Sequence, residues 1–181
     1  MVVHLVKIPS SRVGALIGPD GRTKTELEER SGCRIHINSE TGEVEIEDEK
    51  AFEPVLVLKV RDCVRAIGRG FSPDHAIRLF QDDTYLDLID LTDYVGKQTK
   101  DLERVRARII GTHGKTRRSI EEATGTEVSI LGKTVGIIGE AHEVAVAREA
   151  VEMLLDGAAH GTVYKFLERK QKELRLHDMG L

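Results

Sequence analysis

The 181-residue chain sets 27 Lys and Arg against 31 Asp and Glu for a formal net charge of −4, with 40% hydrophobic and only 4% aromatic residues. Enough apolar residues are present to bury cores in modules of about 80 to 100 residues. The acidic balance excludes a general polyanion binder, so any nucleic-acid site has to be local.

No run approaches the roughly 20 apolar residues of a membrane span. The start, MVVHLVKIPSS, lacks a signal-peptide profile, which makes the cytoplasm the expected compartment and a membrane partner unexpected. Cys33 and Cys63 are separated by 30 positions without a CxxC or a nearby His pair, and read as buried thiols rather than a metal site or disulfide. Charged residues reach 32% while Asn38 is the only asparagine, a balance that points weakly to a thermophile.

Residues 2–8 alternate loosely and stop at Pro9, which predicts a strand. Ser10 or Ser11 is placed to cap a short helix over 12–17, which delivers the chain to Gly18-Pro19-Asp20-Gly21. A helix over 22–30 ends at Gly32, strands follow at 33–38 and 43–47, and residues 39–42 form the turn between them. A long helix over 51–67 carries Leu56, Val60, Cys63 and Ile67 on one face. Residues 68–73 break it, 74–80 form a short helix, and 81–84 form an acidic joint.

Beyond the joint, 85–91 reads as a strand and 98–110 as a helix. From there the chain repeats itself: sliding residues 17–37 by 93 positions lays them on 110–130 without a gap. Of these 21 positions, eight are identical: Ile17, Gly18, Gly21, Thr23, Glu28, Glu29, Gly32 and Ile37 return as Ile110, Gly111, Gly114, Thr116, Glu121, Glu122, Gly125 and Ile130. The second copy continues with a helix over 115–124, strands at 127–131 and 134–138, and a helix over 141–155 burying Val144, Val151, Leu154 and Leu155. The tail GTVYKFLERKQKELR spaces Val163, Phe166, Leu167 and Leu174 at helical intervals. It packs on its own module or the first, or else docks a partner or extends an RNA surface.

Ile-Gly-x-x-Gly-(Arg/Lys)-Thr, followed by a helix, a glycine and an Ile-x-Ile strand, resembles the K-homology (KH) domain. In that family the GXXG loop clamps about four backbone nucleotides of a single strand. The order strand, helix, GXXG, helix, strand, strand, helix is that of the eukaryotic-type (type I) KH arrangement. An α+β fold is therefore expected, with two tandem type I KH domains, each a three-stranded antiparallel sheet with three helices on one face. The expected domains are 1–82 and 83–181, the latter with a C-terminal helical extension. The segments AIGRGFSPDHAIRLF and HGTVYKFLER further resemble archaeal relatives of the partner-of-NOB-one family of small-subunit ribosome-assembly factors. That resemblance implies binding near the 3′ end of small-subunit ribosomal RNA, with an endonuclease or other assembly factor as a partner.

Charge distribution separates the two copies. Residues 104–118 hold six basic residues, Arg104, Arg106, Arg108, Lys115, Arg117 and Arg118, and no acidic one. A helix over 98–110 carries Arg104 and Arg108 towards the second loop, because residues four apart share a face. Gly111, Thr112, His113 and Gly114, with Lys115, Arg117, Arg118, Arg104 and Arg108, form the primary candidate site. The first copy offers Gly18, Pro19, Gly21, Arg22 and Lys24, but Asp20 would face phosphate unfavourably. That module binds weakly or serves as a scaffold. An aliphatic groove for bases would draw on Ile17, Leu27, Ile35, Ile110, Ile120 and Val128, with core packing the simpler reading for Leu27 and Ile120.

No enzyme, cofactor or metal is expected. Gly114-Lys115-Thr116 matches the end of a phosphate-binding P-loop, but its first glycine would fall on Ile109, in a helical rather than strand context. Gly68 and Gly70 follow a helix, without the third glycine of a dinucleotide fingerprint. His113 has no nucleophile or carboxylate partner by spacing. Two other readings remain: a general RNA-processing or translation-linked KH protein, and a protein-interaction scaffold with vestigial loops.

Overall fold

The computed structural model describes residues 1–181, which divide into two compact units, Met1–Asp82 and Asp83–Leu181. The first unit runs β1 (Val3–Lys7), α1 (Ser10–Ile17), α2 (Arg22–Ser31), β2 (Arg34–Ile37), β3 (Glu43–Glu47), α3 (Pro54–Gly68) and α4 (Pro73–Ala76), and a 3-10 turn over Ile77–Phe80. Its antiparallel sheet has the order β1-β3-β2, with Leu5 opposite Glu45 and His36 opposite Glu45 on the other side. Alternation decides the faces: Val44 and Ile46 of β3 are fully buried beneath the helices, while Glu43 and Glu45 are exposed. Leu16, Leu27, Ile35, Val60 and Ile67 complete this core.

The second unit runs β4 (Tyr85–Asp90), α5 (Thr92–Val95), α6 (Thr99–Ile110), α7 (Lys115–Thr124), β5 (Glu127–Leu131), β6 (Thr134–Gly139), α8 (Ala141–Leu155) and α9 (His160–Asp178). Its antiparallel sheet is ordered β4-β6-β5, the counterpart of the first. Val105, Ile109, Ile120, Val135, Ile137 and Val151 form its core, which α9 closes with Val163, Phe166 and Leu167. The tail thus packs on its own unit, with Leu174 half-buried. None of the helices is long and apolar enough to cross a membrane.

Local chemistry moves some expected boundaries. Neither Ser10 nor Ser11 caps α1; Pro9, extended at ψ 137°, is the N-cap residue and no side-chain bond is made. α3 starts at Pro54 rather than residue 51, because a proline at the first helical position loses no bond there. Ser72 caps α4 by accepting the His75 amide at 3.3 Å, again with proline at the first position. The short α5 was not expected; Asp90 Oδ1 starts it by accepting the amide and hydroxyl of Thr92 at 2.9 and 2.7 Å. Both cysteines are free and buried.

Candidate nucleic-acid interface

The two Gly-x-x-Gly loops have one backbone. Gly18 sits at φ 75°, ψ 173° and Gly111 at φ 74°, ψ 174°; Asp20 and His113 follow at φ 54° and 53°, and Gly21 and Gly114 at φ 73° and 74°. Asp20 and His113 are the only non-glycine residues with positive φ, a region that small polar side chains and histidine tolerate best. Gly18 and Gly111 are required twice over. Besides the positive φ, a Cβ there would collide with the Thr23 or Thr116 hydroxyl. Those threonines, 6% and 1% exposed, are the packing support of the loops.

Each loop ends on a helix start whose N-cap is glycine and carries no side-chain cap bond. The Arg22 and Lys115 amides donate to the Pro19 and Thr112 carbonyls within the loops, and the first-turn amides beyond them are left for a ligand, for which a phosphate is suited. The repeat also explains the rest of each motif. Glu28 Oε1 accepts the Ile35 amide at 2.8 Å and Glu121 Oε1 the Val128 amide at 2.9 Å, tying the helix to the strand that follows. Ser31 and Thr124 each donate to the carbonyl four residues back at 2.7 Å, where Gly32 and Gly125 end the helices in the left-handed region.

The surroundings of the loops differ. Beside the second lies a cleft of about 590 Å³ lined by Arg104, Ala107, Arg108, Gly111, Thr112, Lys115, Thr116, His160 and Tyr164. Thr112, His113, Lys115 and Arg118 are exposed and Arg117 is half-buried. Arg118 Nη1 donates to the His113 carbonyl at 2.8 Å, bracing the loop from its own helix. Arg104 is exposed, with only a 3.8 Å approach to Asp101. At the first loop Pro19, Asp20 and Arg22 are exposed, while Lys24 is turned to Glu28 at 3.4 Å.

Arg108 departs from expectation. It lines the cleft, but Nε donates to the Leu154 carbonyl at 3.3 Å and Nη2 to that of Ala158, so the guanidinium is engaged by the end of α8 and the turn that follows it. The expected aliphatic groove is also revised. Leu27, Ile35, Ile120 and Val128 are at most 3% exposed and belong to the cores, leaving Ile17 half-buried and Ile110 37% exposed. Ile35 and Val128 face inward because alternation on β2 and β5 points them at the helices.

Four lining residues, Ala107, Thr116, His160 and Tyr164, were missed in the sequence. Tyr164 and His160 come from α9, and Thr116 lies beneath the loop. The Tyr164 and Thr116 hydroxyls are 2.9 Å apart, Lys115 Nζ is 5.5 Å from the Tyr164 ring centroid, and His160 Nε2 is 2.9 Å from the Arg108 carbonyl. For Thr116 the available signal was its identity with Thr23 in the repeat; for His160 and Tyr164 it was the helical spacing of the tail, which does not say what the tail reaches.

Residues 85–172 match the family model described as eukaryotic type KH-domain (KH-domain type I), and residues 3–53 match that of the KH domain. A KH domain-containing protein of Methanocaldococcus jannaschii is 43% identical over 173 residues, covering 96% of this chain and 76% of that protein. Pre-rRNA-processing protein pno1 of Schizosaccharomyces pombe is 32% identical over 161 residues, covering 88% and 67%. Among solved structures, a chain of the a/eIF2α–aDim2p–rRNA complex of Pyrococcus horikoshii superposes with a TM-score of 0.88 at 48% identity, covering 95% of both chains. Dim2p of the same organism gives 0.86 at 48%, covering 93% of this chain and 99% of that one. With both domains matched and nearly its full length covered, this chain belongs to the two-KH-domain family of archaeal Dim2p and the pre-rRNA-processing protein Pno1.

Proposed function

We propose that this protein binds single-stranded RNA in small-subunit ribosomal RNA processing and ribosome assembly, and that its second KH domain is the dominant site. The observation that carries this reading is the cleft beside Gly111 and Thr112, where the start of α7, Lys115 and Arg104 border one open space and α7 has no side-chain cap. Backbone phosphates dock on the loop and helix start, with Lys115, Arg117 and Arg118 supplying charge. Arg108 acts on the site by holding α6 to the end of α8 and the turn that follows it. The role is binding, not catalysis. The names of the fungal and Pyrococcus relatives support an rRNA target, and the family resemblance favours its 3′ region. An assembly factor such as an endonuclease is the proposed protein partner.

The first domain has the same loop backbone but carries Asp20 at its tip and Lys24 paired to Glu28. It contributes weak binding or a scaffold. Fluorescence anisotropy with a short RNA copied from the small-subunit rRNA 3′ end tests the assignment. The native chain is compared with Thr112→Asp/His113→Asp and with Pro19→Asp. Aspartate is conformationally acceptable at 113, because Asp20 holds the equivalent φ in the first loop. Salt-sensitive binding lost only in the second-loop variant is the expected result. Failure of that RNA and of unrelated single strands to bind at low salt overturns the RNA reading in favour of a protein-interaction scaffold.

A further inference from the structure

The start of α8 and the end of α9 meet at a cluster of metal-ligating groups that has no part in the loop site. His142 Nε2 lies 3.7 Å from Asp178 Oδ1 and 3.8 Å from Glu140 Oε2. The rings of His142 and His177 are 4.3 Å apart between centroids. Donor atoms of His142, His177 and Asp178 all lie within 4.8 Å of one another. His142 Nε2 is sealed from solvent yet makes no hydrogen bond. A buried ring nitrogen aimed at a second imidazole and a carboxylate lacks the partner that such an atom demands.

We propose that His142, His177 and Asp178 bind one divalent transition-metal ion, with zinc the best fit. Two imidazoles and a carboxylate suit zinc, whereas calcium and magnesium prefer all-oxygen shells. Donors about 2.1 Å from a tetrahedral ion stand about 3.4 Å apart, so the observed separations close with a small side-chain rotation. Glu140 already takes part with Glu143 in the capping box of α8, so a water completes the shell. The exposed flanks of His177 and Asp178, 67% and 60% accessible, give the ion and its water access. The ion would fasten the last turn of α9 to the first of α8. α9 also brings His160 and Tyr164 to the cleft beside the second loop, so the same helix would be held at both ends.

The test is calorimetric titration of the chelator-stripped full chain with zinc, with cobalt as a visible-absorption probe. One saturable site in the micromolar range is expected, with zinc raising the thermal midpoint. His142→Ala and His177→Ala should each weaken binding by at least about tenfold. His36→Ala, which removes a surface histidine 3.3 Å from Glu47, should leave binding unchanged. Far-UV circular dichroism checks that the variants fold. Absence of saturable binding, or binding that survives both cluster substitutions, overturns the proposal; the cluster is then a histidine held between two carboxylates.

Discussion

The hydroxyl of Tyr164 on α9 lies 2.9 Å from that of Thr116, the residue on which Gly111 of the second loop rests. Thr116 is 1% exposed, so its hydroxyl depends on this partner. Tyr164→Phe keeps the ring against Lys115 and removes only the bond. Stability measured by urea unfolding should fall by about 1 kcal/mol. RNA affinity should fall further for Tyr164→Ala than for Tyr164→Phe, because the alanine also removes a wall of the cleft.

The salt dependence of binding reports the number of phosphate contacts. On a single strand each contact contributes about 0.7 to the slope of log affinity against log salt. Lys115→Ala and Arg117→Ala should each flatten the slope by that amount. Lys24→Ala in the first domain should leave it unchanged, since that ammonium faces Glu28 at 3.4 Å. Anisotropy titrations at several salt concentrations measure all three.

Glu28 and Glu121, identical in the repeat, each accept the amide of a strand residue seven positions on. Glu121→Ala leaves the Val128 amide partly buried and unsatisfied, and should cost about 1–3 kcal/mol in urea unfolding. Glu121→Gln keeps a carbonyl acceptor of the same reach and should recover most of that loss. Equal losses for the two variants would mean that charge, not the hydrogen bond, holds α7 to β5.

The repeat made both loops and both helix starts legible, because glycines and alternating apolar residues state local geometry; the three-stranded antiparallel sheets followed from the resemblance to the KH arrangement, and their strand order came from the structure. α7, β5 and α8 fall where periodicity places them. Contacts between distant positions were not legible. Tyr164 is 48 residues from Thr116 and lies on a helix outside the repeat, so no spacing rule joins them. Arg108 read as a free cation because the carbonyls of Leu154 and Ala158 that engage it lie at the end of α8 and in the turn beyond it, 46 and 50 residues later. Ile35 and Val128 lie on strands whose inward face is fixed only by the covering helices. The glutamate pairs were visible as identities, but their cause is a hydrogen bond across a turn.

Both thiols should be silent in the folded chain. Burial pushes the Cys63 thiol far above its ordinary value of 9.0, with Asp62 adding to the shift, and burial also raises Cys33. A disulfide reagent at pH 8 should label neither cysteine in buffer and both in denaturant, read by mass spectrometry. The sign for stability follows. Above pH 9 the unfolded chain ionises its thiols while the folded chain keeps them protonated, so stability present below that pH is lost as pH rises. Unfolding midpoints measured between pH 8 and 10 should decline over the upper part of the range.

Gly18→Ala and Gly111→Ala place the same strain in two loops of matching backbone. Each holds a side chain at positive φ and drives a Cβ into the threonine beneath, so each should lose at least about 1–2 kcal/mol of stability. Their effects on RNA should part. Only Gly111 borders the cleft that Arg104, Lys115 and Tyr164 line, so Gly111→Ala should abolish binding, while Gly18→Ala should change affinity less than about threefold. Urea unfolding and anisotropy on the two variants separate the common structural cost from the unequal functional one. If Gly18→Ala weakens RNA binding as much as Gly111→Ala, the first loop is a working site despite Asp20, and both domains engage the strand.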